Sequence, residues 1–279
     1  MATPFTRILS RFFSTKDGLS HEERLVRQKF DYYLRGNFKN LRALYRRRFQ
    51  NVLNTDQAKE LCDEYAANEA EKIRFSRCVY EPAKAFIKKM FEIEVVEKSV
   101  STVIFLAGGA GSGKSTAVES WKAAGKFPPN LLVVDGTLSD QEEARHQVNL
   151  ALEHEKQVLI IYVFCPIAKA VQLALDRAIQ RGRGLPIGRL AQTHYDSQKT
   201  VLALHRDLSS HPLVDVKVFD NSLSRPTASD MLSVERDEYQ SLDTLKIAAH
   251  SALLYEQHTR KESGKPLPAE IAELFNKNG

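Results

Sequence analysis

An eight-residue stretch, GGAGSGKS at residues 108–115, constrains the fold of this chain more than any other feature. It matches the pattern G-x-x-x-x-G-K-[ST] in full and follows TVIFLA at 102–107, an apolar run that suits a strand buried on both faces. A strand, a glycine-rich loop and a helix in this order point backbone N–H groups and the positive end of the helix at one place. The stretch therefore predicts an anion-binding turn in an α/β sheet.

Each residue type in this stretch has a role in binding phosphate or a metal ion. Glycines allow the tight curl, the Lys114 ammonium reaches the β- and γ-phosphates of a nucleoside triphosphate, and the Ser115 hydroxyl can ligate Mg²⁺. We therefore expect ATP and Mg²⁺ to bind here, with Ser115 as the metal ligand. The expected contacts are Gly108, Gly109, Ala110, Gly111, Ser112, Gly113, Lys114, Ser115 and Thr116.

Apolar runs alternate with helical patterns along the rest of the central region. Three further runs predict buried strands, at 131–134, 158–164 and 214–219. The helices predicted between them cover about 114–124, 167–181 and 190–208, with Ser139 and Glu142 capping a further one. Gly182 is expected to end the helix that precedes it. This alternation predicts the α/β class, a P-loop NTPase/kinase-like parallel sheet flanked by helices, with an N-terminal α-helical region.

The segment before the sheet reads as helical. Ser20 and Glu23 form a capping-box start, a turn is predicted at 51–55, a second helix near 56–74, and a third from about Pro82. We predict four segments along the chain. They are a basic N-terminal segment at 1–17, a helical region at 18–98, a P-loop kinase domain at 99–225 and a C-terminal helical extension at 226–279.

Charge is distributed unevenly. Residues 1–50 contain twelve basic and four acidic residues, a net charge of +8, whereas the whole chain carries +5. Such a region attracts anionic partners or is the solvated face of amphipathic helices. The expected location is cytoplasmic. The acid-free stretch 1–16 has the composition of a mitochondrial transit peptide, which makes a mitochondrial location the alternative. No apolar run is long enough to predict a transmembrane segment.

The three cysteines, Cys62, Cys78 and Cys165, are far apart and lack a CxxC spacing. This pattern argues against a zinc site and against a disulfide-stapled secreted scaffold.

Asp135 ends the second predicted strand of the central region, in LLVVDGTL. Because ligands of open α/β sheets bind outside the carboxyl ends of the strands, we expect Asp135 near the phosphates. A carboxylate there orients Mg²⁺ through water or accepts the proton of a substrate hydroxyl, and Thr137 adds a hydroxyl to the same site.

Arginines are concentrated in DRAIQRGRGLPIGR at 176–189. The four are Arg177, Arg181, Arg183 and Arg189. Guanidinium groups beside a glycine-rich turn suit the neutralisation of charge during phosphoryl transfer, and closure of such a loop excludes water. All four are candidates for this role at this point.

These motifs together resemble the zeta toxin family of P-loop kinases over about residues 100–222. The segments that resemble the family are, in the family's order, GGAGSGKS, VVDGTL, VLIIYVFCP and ALDRAIQRGRGLP. The resemblance implies ATP-dependent phosphorylation of a small molecule, which in known members is a UDP-linked amino sugar. It further implies that Asp135 and Thr137 contact substrate and that Arg177 and Arg183 contact phosphate, so these two arginines are catalytic candidates together with Lys114 and Asp135. An antitoxin-like or an anionic partner of the basic N-terminal region is the class of partner to test, and the residues do not say whether an antitoxin-like partner exists. His194, in QTHYD, also falls at a position similar to one in the family.

The chain departs from the family in one respect. The toxins have an extra strand between the P-loop and the acid-Gly-Thr strand, and it carries the aspartate proposed as general base. Between Lys114 and Asp135 there is room here for one helix and one strand. Either that element is missing, or Asp135 itself acts as the base.

The sequence leads to one main hypothesis and two alternatives. The main one is an ATP-dependent small-molecule kinase that transfers the γ-phosphoryl group to a metabolite hydroxyl, with a nucleotide sugar as one acceptor class. The alternatives are a nucleotide-dependent NTPase or switch that acts on a macromolecular partner, and an inactive ATP-binding module. The residues do not name the acceptor or the oligomeric state.

Overall fold

The computed structural model of the chain describes residues 18–123, 125, 130–182 and 184–277. The basic segment predicted at 1–17 and the candidate Arg183 lie outside the described residues. Six strands are described: β1 (Val52–Asn54), β2 (Thr102–Ala107), β3 (Leu131–Asp135), β4 (Gln157–Phe164), β5 (Val214–Asp220) and β6 (Thr227–Ser229).

All six strands join one sheet in the order β1-β3-β2-β4-β5-β6. The neighbours from β1 to β5 are parallel, and only the last pair, β5 with β6, is antiparallel. A mostly parallel sheet confirms the predicted α/β class, because parallel neighbours require crossover connections. The carboxyl ends of β1, β3, β2, β4 and β5 consequently meet at one edge of the sheet.

Helices precede, connect and follow the strands. Six precede β2: α1 (His21–Gly36), α2 (Phe38–Phe49), α3 (Thr55–Lys59), α4 (Asp63–Ala66), α5 (Glu69–Phe75) and α6 (Tyr80–Glu94). Four lie between the central strands: α7 (Lys114–Ala123), α8 (Gln141–Glu153), α9 (Ile167–Arg181) and α10 (Ile187–Leu208). Three end the chain: α11 (Met231–Arg236), α12 (Leu242–Glu262) and α13 (Ala269–Asn276).

The central strand β2 explains how the core is divided. All six of its side chains are buried, and alternate residues point to opposite faces of the sheet. Val103 and Phe105 pack in a cluster with the N-terminal helices, whereas Ile104 and Leu106 pack with Ala117 of α7 on the other face. The continuous apolar run TVIFLA is therefore a strand that is covered on both faces, as predicted.

The N-terminal helices share the core of the sheet. Phe30, Tyr45 and Phe91 are buried in the same cluster as Phe105, and the Phe91 and Phe105 rings have centroids 5.9 Å apart. This packing crosses the boundary predicted between 18–98 and 99–225, and that division of the chain stays a prediction. The C-terminal helix α12 packs separately, against α9 and α10, through Leu245, Ala249 and Leu253.

Several local predictions are confirmed. Ser20 and Glu23 form the reciprocal capping box of α1. Gly182 ends α9 with a left-handed φ of 62°, and its N–H donates to the Ala178 carbonyl. Apart from these predictions, Cys62, Cys78 and Cys165 are all buried.

Three local predictions differ from the structure. The turn predicted at 51–55 is the short strand β1 followed directly by α3, and the single helix predicted near 56–74 is three short helices. Asp140, and not Ser139, caps α8, because the Asp140 carboxylate accepts from the Glu143 N–H while the Ser139 hydroxyl bonds to Thr137. The C-terminal region also contains β6, which pairs antiparallel with β5.

None of the helices in the described ranges is both long and apolar enough to cross a membrane.

Candidate functional site

The loop between β2 and α7 has the predicted strand, turn and helix arrangement. Strand β2 ends at Ala107 and α7 begins at Lys114, so residues 108–113 form the turn. The neighbouring strand β3 ends at Asp135, which lies opposite Leu106 in the register of the two strands. The structure thus brings the glycine-rich turn and Asp135 to the same edge of the sheet.

Two glycines of the turn are required by their surroundings. A Cβ atom on Gly109 would lie 1.9 Å from the ring of His194, closer than any real contact. Gly113 has a φ of +87°, and a Cβ there would lie 2.4 Å from the amide nitrogen of Asn221. The loop therefore needs glycine at 109 for space and at 113 for both space and backbone conformation.

The outer side of the turn is held by polar side chains from distant parts of the sequence. The Gly108 N–H donates to Ser197 Oγ at 2.7 Å, and the Ala110 N–H donates to Thr193 Oγ1 at 3.1 Å. Asn221 Nδ2 donates to the Ser112 carbonyl at 2.9 Å. These long-range bonds hold the curl of the loop before any ligand binds, which is the preorganisation that anion recognition requires.

His194 packs directly over the turn and bonds to it. It is buried, and its Nε2 lies 2.9 Å from the Ala110 carbonyl oxygen. Burial lowers the pKa of His194 to about 4, against the opposing effect of this bond, and the nearby Lys114 ammonium lowers it further. The ring is therefore neutral at pH 7, and its Nε2–H donates to the carbonyl.

Lys114 lies within the mouth of the turn. Its Nζ donates to the carbonyls of Gly108 at 2.6 Å and Gly109 at 2.9 Å. Burial lowers the pKa of Lys114 to about 8, with Asp135 raising it and Arg177 lowering it. An anion at this place would raise the pKa of Lys114 again, because an opposite charge favours the protonated form.

The first turn of α7 offers the remaining donors. In any helix the first N–H groups have no intrahelical partner, and here they belong to Lys114, Ser115 and Thr116. The side chains of Ser115 and Thr116 are exposed. A hydroxyl beside a phosphate-sized cradle fits the chemistry of Mg²⁺, which usually takes few protein ligands plus phosphate oxygens. In the described part of the chain, no three His, Cys, Asp or Glu side chains are grouped as a metal site.

Asp135 faces charges from three other elements. Burial raises the pKa of its carboxyl, Asp56 of α3 raises it further, and Lys114 and Arg177 lower it. The Asn54 side chain, at the end of β1, donates to Asp135 Oδ2 at 2.6 Å and also lowers the pKa. Asp135 is thus a half-buried carboxyl with a raised pKa and two cations nearby, and such a group is a candidate for acid–base chemistry.

The other predicted residues are placed as follows. The Thr137 carbonyl accepts from the Gly108 N–H at 3.2 Å, so this residue borders the turn, and its Oγ1 lies 2.8 Å from Ser139 Oγ. Arg177 lies in α9, within electrostatic reach of Lys114 and Asp135. Arg181 and Arg189 are exposed, on α9 and α10.

Sequence reasoning missed the residues that hold the site from a distance. They are Asn54, Thr193, Ser197 and Asn221. Asn54 has a weak local signal, since an Asn directly before Thr-Asp-Gln is a typical helix N-cap. Nothing in the spacing of the others connects them to the turn, because their contacts span 83 to 109 positions of sequence.

A mostly parallel sheet with a glycine-rich turn and a lysine at the carboxyl end of a central strand defines a P-loop kinase-like fold. Within that class, this chain is similar to the zeta toxins, because residues 129–226 match the family model described as Zeta toxin. The match covers about a third of the chain and begins after the turn at 108–115.

Two solved structures are similar to the chain at low identity. One is a crystal structure of the AvrRxo1-ORF1:-ORF2 complex, with 13% identity, a TM-score of 0.42, and coverage of 75% of this chain and 91% of that chain. The other is AvrRxo1-ORF1:AvrRxo1-ORF2 with sulphate ions, with 13% identity, a TM-score of 0.43, and coverage of 77% and 94%. No curated protein matches the sequence.

Proposed function

We propose that this chain is an ATP-dependent kinase that transfers the γ-phosphoryl group to a hydroxyl of a small molecule. The observation that carries the proposal is that Lys114, bonded to the carbonyls of the glycine-rich turn, and Asp135, at the end of the neighbouring strand, lie at the same edge of the sheet. The charge of Arg177 reaches both groups. The similarity to zeta toxins supports the same chemistry, because that family consists of kinases.

The phosphates of ATP would lie against the turn at 108–113 and the first N–H groups of α7. Lys114 would exchange its bonds to the Gly108 and Gly109 carbonyls for the β- and γ-phosphates. A Mg²⁺ ion held by Ser115 and the phosphates would supply charge neutralisation at the leaving group.

Asp135 would accept the proton of the acceptor hydroxyl as its oxygen attacks the γ-phosphorus. The bond from that phosphorus to the bridging oxygen breaks, ADP leaves, and the proton passes from Asp135 to solvent. Lys114 and Arg177 would neutralise the charge that spreads over the transferred group, a role in which Arg is effective because its fork matches phosphate oxygens. We extend the same role to Arg183 and substrate contact to Thr137 from the resemblance.

The acceptor is proposed only by class. A metabolite hydroxyl, with nucleotide sugars as the first class to test, follows from the zeta toxin similarity. An antitoxin-like partner, or an anionic partner for the basic N-terminal region, is a further expectation from the resemblance and the charge distribution.

The test is phosphorylation of a metabolite mixture followed by mass spectrometry, with ADP release measured in parallel. The intact chain is expected to phosphorylate a discrete product, and Lys114→Ala and Asp135→Ala are each expected to abolish it. Full turnover by Asp135→Ala would reject the role of that carboxylate. ADP release that depends on RNA or DNA and on salt would favour the NTPase alternative, and tight Mg·ATP binding without turnover the inactive module.

A further inference from the structure

The side-chain amide of Asn54 accepts one hydrogen bond and donates another, and the two bonds together set its orientation. Its Oδ1 accepts from the Gln57 N–H at 3.0 Å and so caps α3, while its Nδ2 donates to Asp135 Oδ2 at 2.6 Å. The capping bond needs the oxygen on that side, because a backbone N–H can only donate. The NH₂ group is therefore the end that faces Asp135.

Asn54 is also held from behind. Its backbone N–H donates to the hydroxyl oxygen of Tyr45 at 2.9 Å, and Tyr45 is fully buried. The same hydroxyl lies 3.1 Å from the Val52 carbonyl and 3.2 Å from Gln57 Oε1. In the sheet, β1 pairs with β3 so that Asn54 lies opposite Asp135. The backbone and the side chain of Asn54 are thus both fixed relative to the carboxylate.

The groups around Asp135 divide into charged and neutral ones. Lys114 from α7, Arg177 from α9 and Asp56 from α3 act on the carboxylate by charge. Asn54 acts on it as a neutral donor, and its bond engages Asp135 Oδ2 at 2.6 Å. In the proposed reaction, Oδ1 would be the oxygen that accepts the proton.

We infer that Asn54 is a positioning residue for Asp135, so that the N-terminal helical region completes the catalytic site through β1. The inference rests on the proposed function for the role of Asp135 as base, while the orientation of the carboxylate rests on the hydrogen bonds alone. Residues 18–98 then do more than cover the sheet, because they supply the donor that orients the reactive carboxylate.

The direct test is a titration of the Asp135 carboxyl carbon by ¹³C NMR, assigned with Asp135→Asn, in the full chain. Asn54→Ser and Asn54→Asp both keep a side-chain oxygen that caps α3 but remove the NH₂ donor. Because the donor stabilises the ionised carboxylate, its loss is expected to move the Asp135 midpoint to higher pH, by about one pH unit for Ser. Asn54→Asp is expected to move it further, because it adds a like charge.

The matched control is Asn51→Ser, the same exchange three residues earlier, where the backbone carbonyl and not the side chain holds β3. It is expected to leave the Asp135 midpoint unchanged. An Asn54→Ser protein that is folded by its melting curve but titrates like Asn51→Ser would overturn the inference.

Kinetics separate this inference from the proposed function. Once an acceptor is found, Asn54→Ser is expected to lower kcat about tenfold or more and to move the acidic limb of the kcat profile upward in pH, as the NMR midpoint moves. A lower kcat with an unmoved limb would contradict positioning and indicate a structural effect. Full phosphoryl transfer by Asp135→Ala is a failure of the proposed function that the titration of the Asn54 variants does not produce.

Discussion

The two sides of the candidate site, the glycine-rich turn and Asp135, are built in different ways. The groups proposed to bind phosphate are consecutive, at 108–116, in one turn and the helix that follows it. On the acid side, Asp135 of β3 is held by Asn54 of β1, and the two residues are 81 positions apart in sequence. One side of the site is therefore a local motif, and the other exists only after the sheet has formed.

The glycine-rich turn is continuous in sequence, but its shape also depends on distant residues. The inner side of the turn is made of its own backbone, but the outer side depends on Ser197, Thr193 and His194 of α10 and on Asn221 after β5. Because a loop of glycines loses much conformational entropy when it is ordered, these distant bonds hold it in one shape. How far each side depends on distant residues can be measured with single substitutions.

The largest effect is expected from Gly109→Ala. The new Cβ would lie 1.9 Å from the buried His194 ring, so either the turn or α10 has to move. We expect loss of roughly 3 kcal/mol of stability, by the cost of overpacking, and loss of Mg·ATP binding. Urea unfolding and isothermal titration calorimetry measure the two effects, and wild-type affinity in this variant would mean that the distant contact does not shape the turn.

The second largest effect is a dependence of stability on pH that is caused by His194. Its pKa is lowered to about 4 in the folded chain, so the unfolded chain takes up a proton first as the pH falls. The stability that depends on neutral His194 is thus present above about pH 6.5 and lost as the pH falls toward 4, on the order of 1–2 kcal/mol between pH 7 and pH 5. Unfolding of wild type and His194→Gln at several pH values checks this, and parallel pH dependences would refute it.

Ser197→Ala should have a smaller effect. It removes the Ser197 Oγ acceptor of the buried Gly108 N–H, which retains a 3.2 Å bond to the Thr137 carbonyl. Since one acceptor remains, we expect a loss of about 1 kcal/mol and weaker Mg·ATP binding. Ser210→Ala, at an exposed position, is the control and should unfold at the wild-type urea concentration. Equal unfolding midpoints for both variants would show that the turn does not need this bond.

The smallest effect is expected from Gly188→Ala, and it is a gain of stability rather than a loss. This glycine lies in the first turn of α10, and a Cβ there would meet no atom within 4 Å. Because Ala loses less entropy than Gly in a helix, we expect a gain of about 0.5 kcal/mol with unchanged Mg·ATP affinity. A destabilised Gly188→Ala protein would contradict the open space found around this position.

Prediction from the sequence was accurate where the signal was local or strongly periodic. The run at 102–107, the capping box of Ser20 and Glu23, and the end of α9 at Gly182 all have the predicted places. It was inaccurate at residues 51–55, where β1 has three residues and no periodicity of its own. That strand exists because its backbone pairs with β3, as in the bond from the Val133 N–H to the Asn51 carbonyl.

The amino-acid sequence by itself determined the glycine-rich turn, the strand and helix that flank it and the presence of Asp135 at a strand end. These depend on backbone freedom and hydrophobic periodicity, which neighbouring residues express alone. The tertiary structure alone decided that Asn54 meets Asp135, that His194 covers Gly109 and that Ser197 holds the turn. Side-chain bonds between residues more than 80 positions apart form only when packing brings their strands and helices together, so no local pattern encodes them.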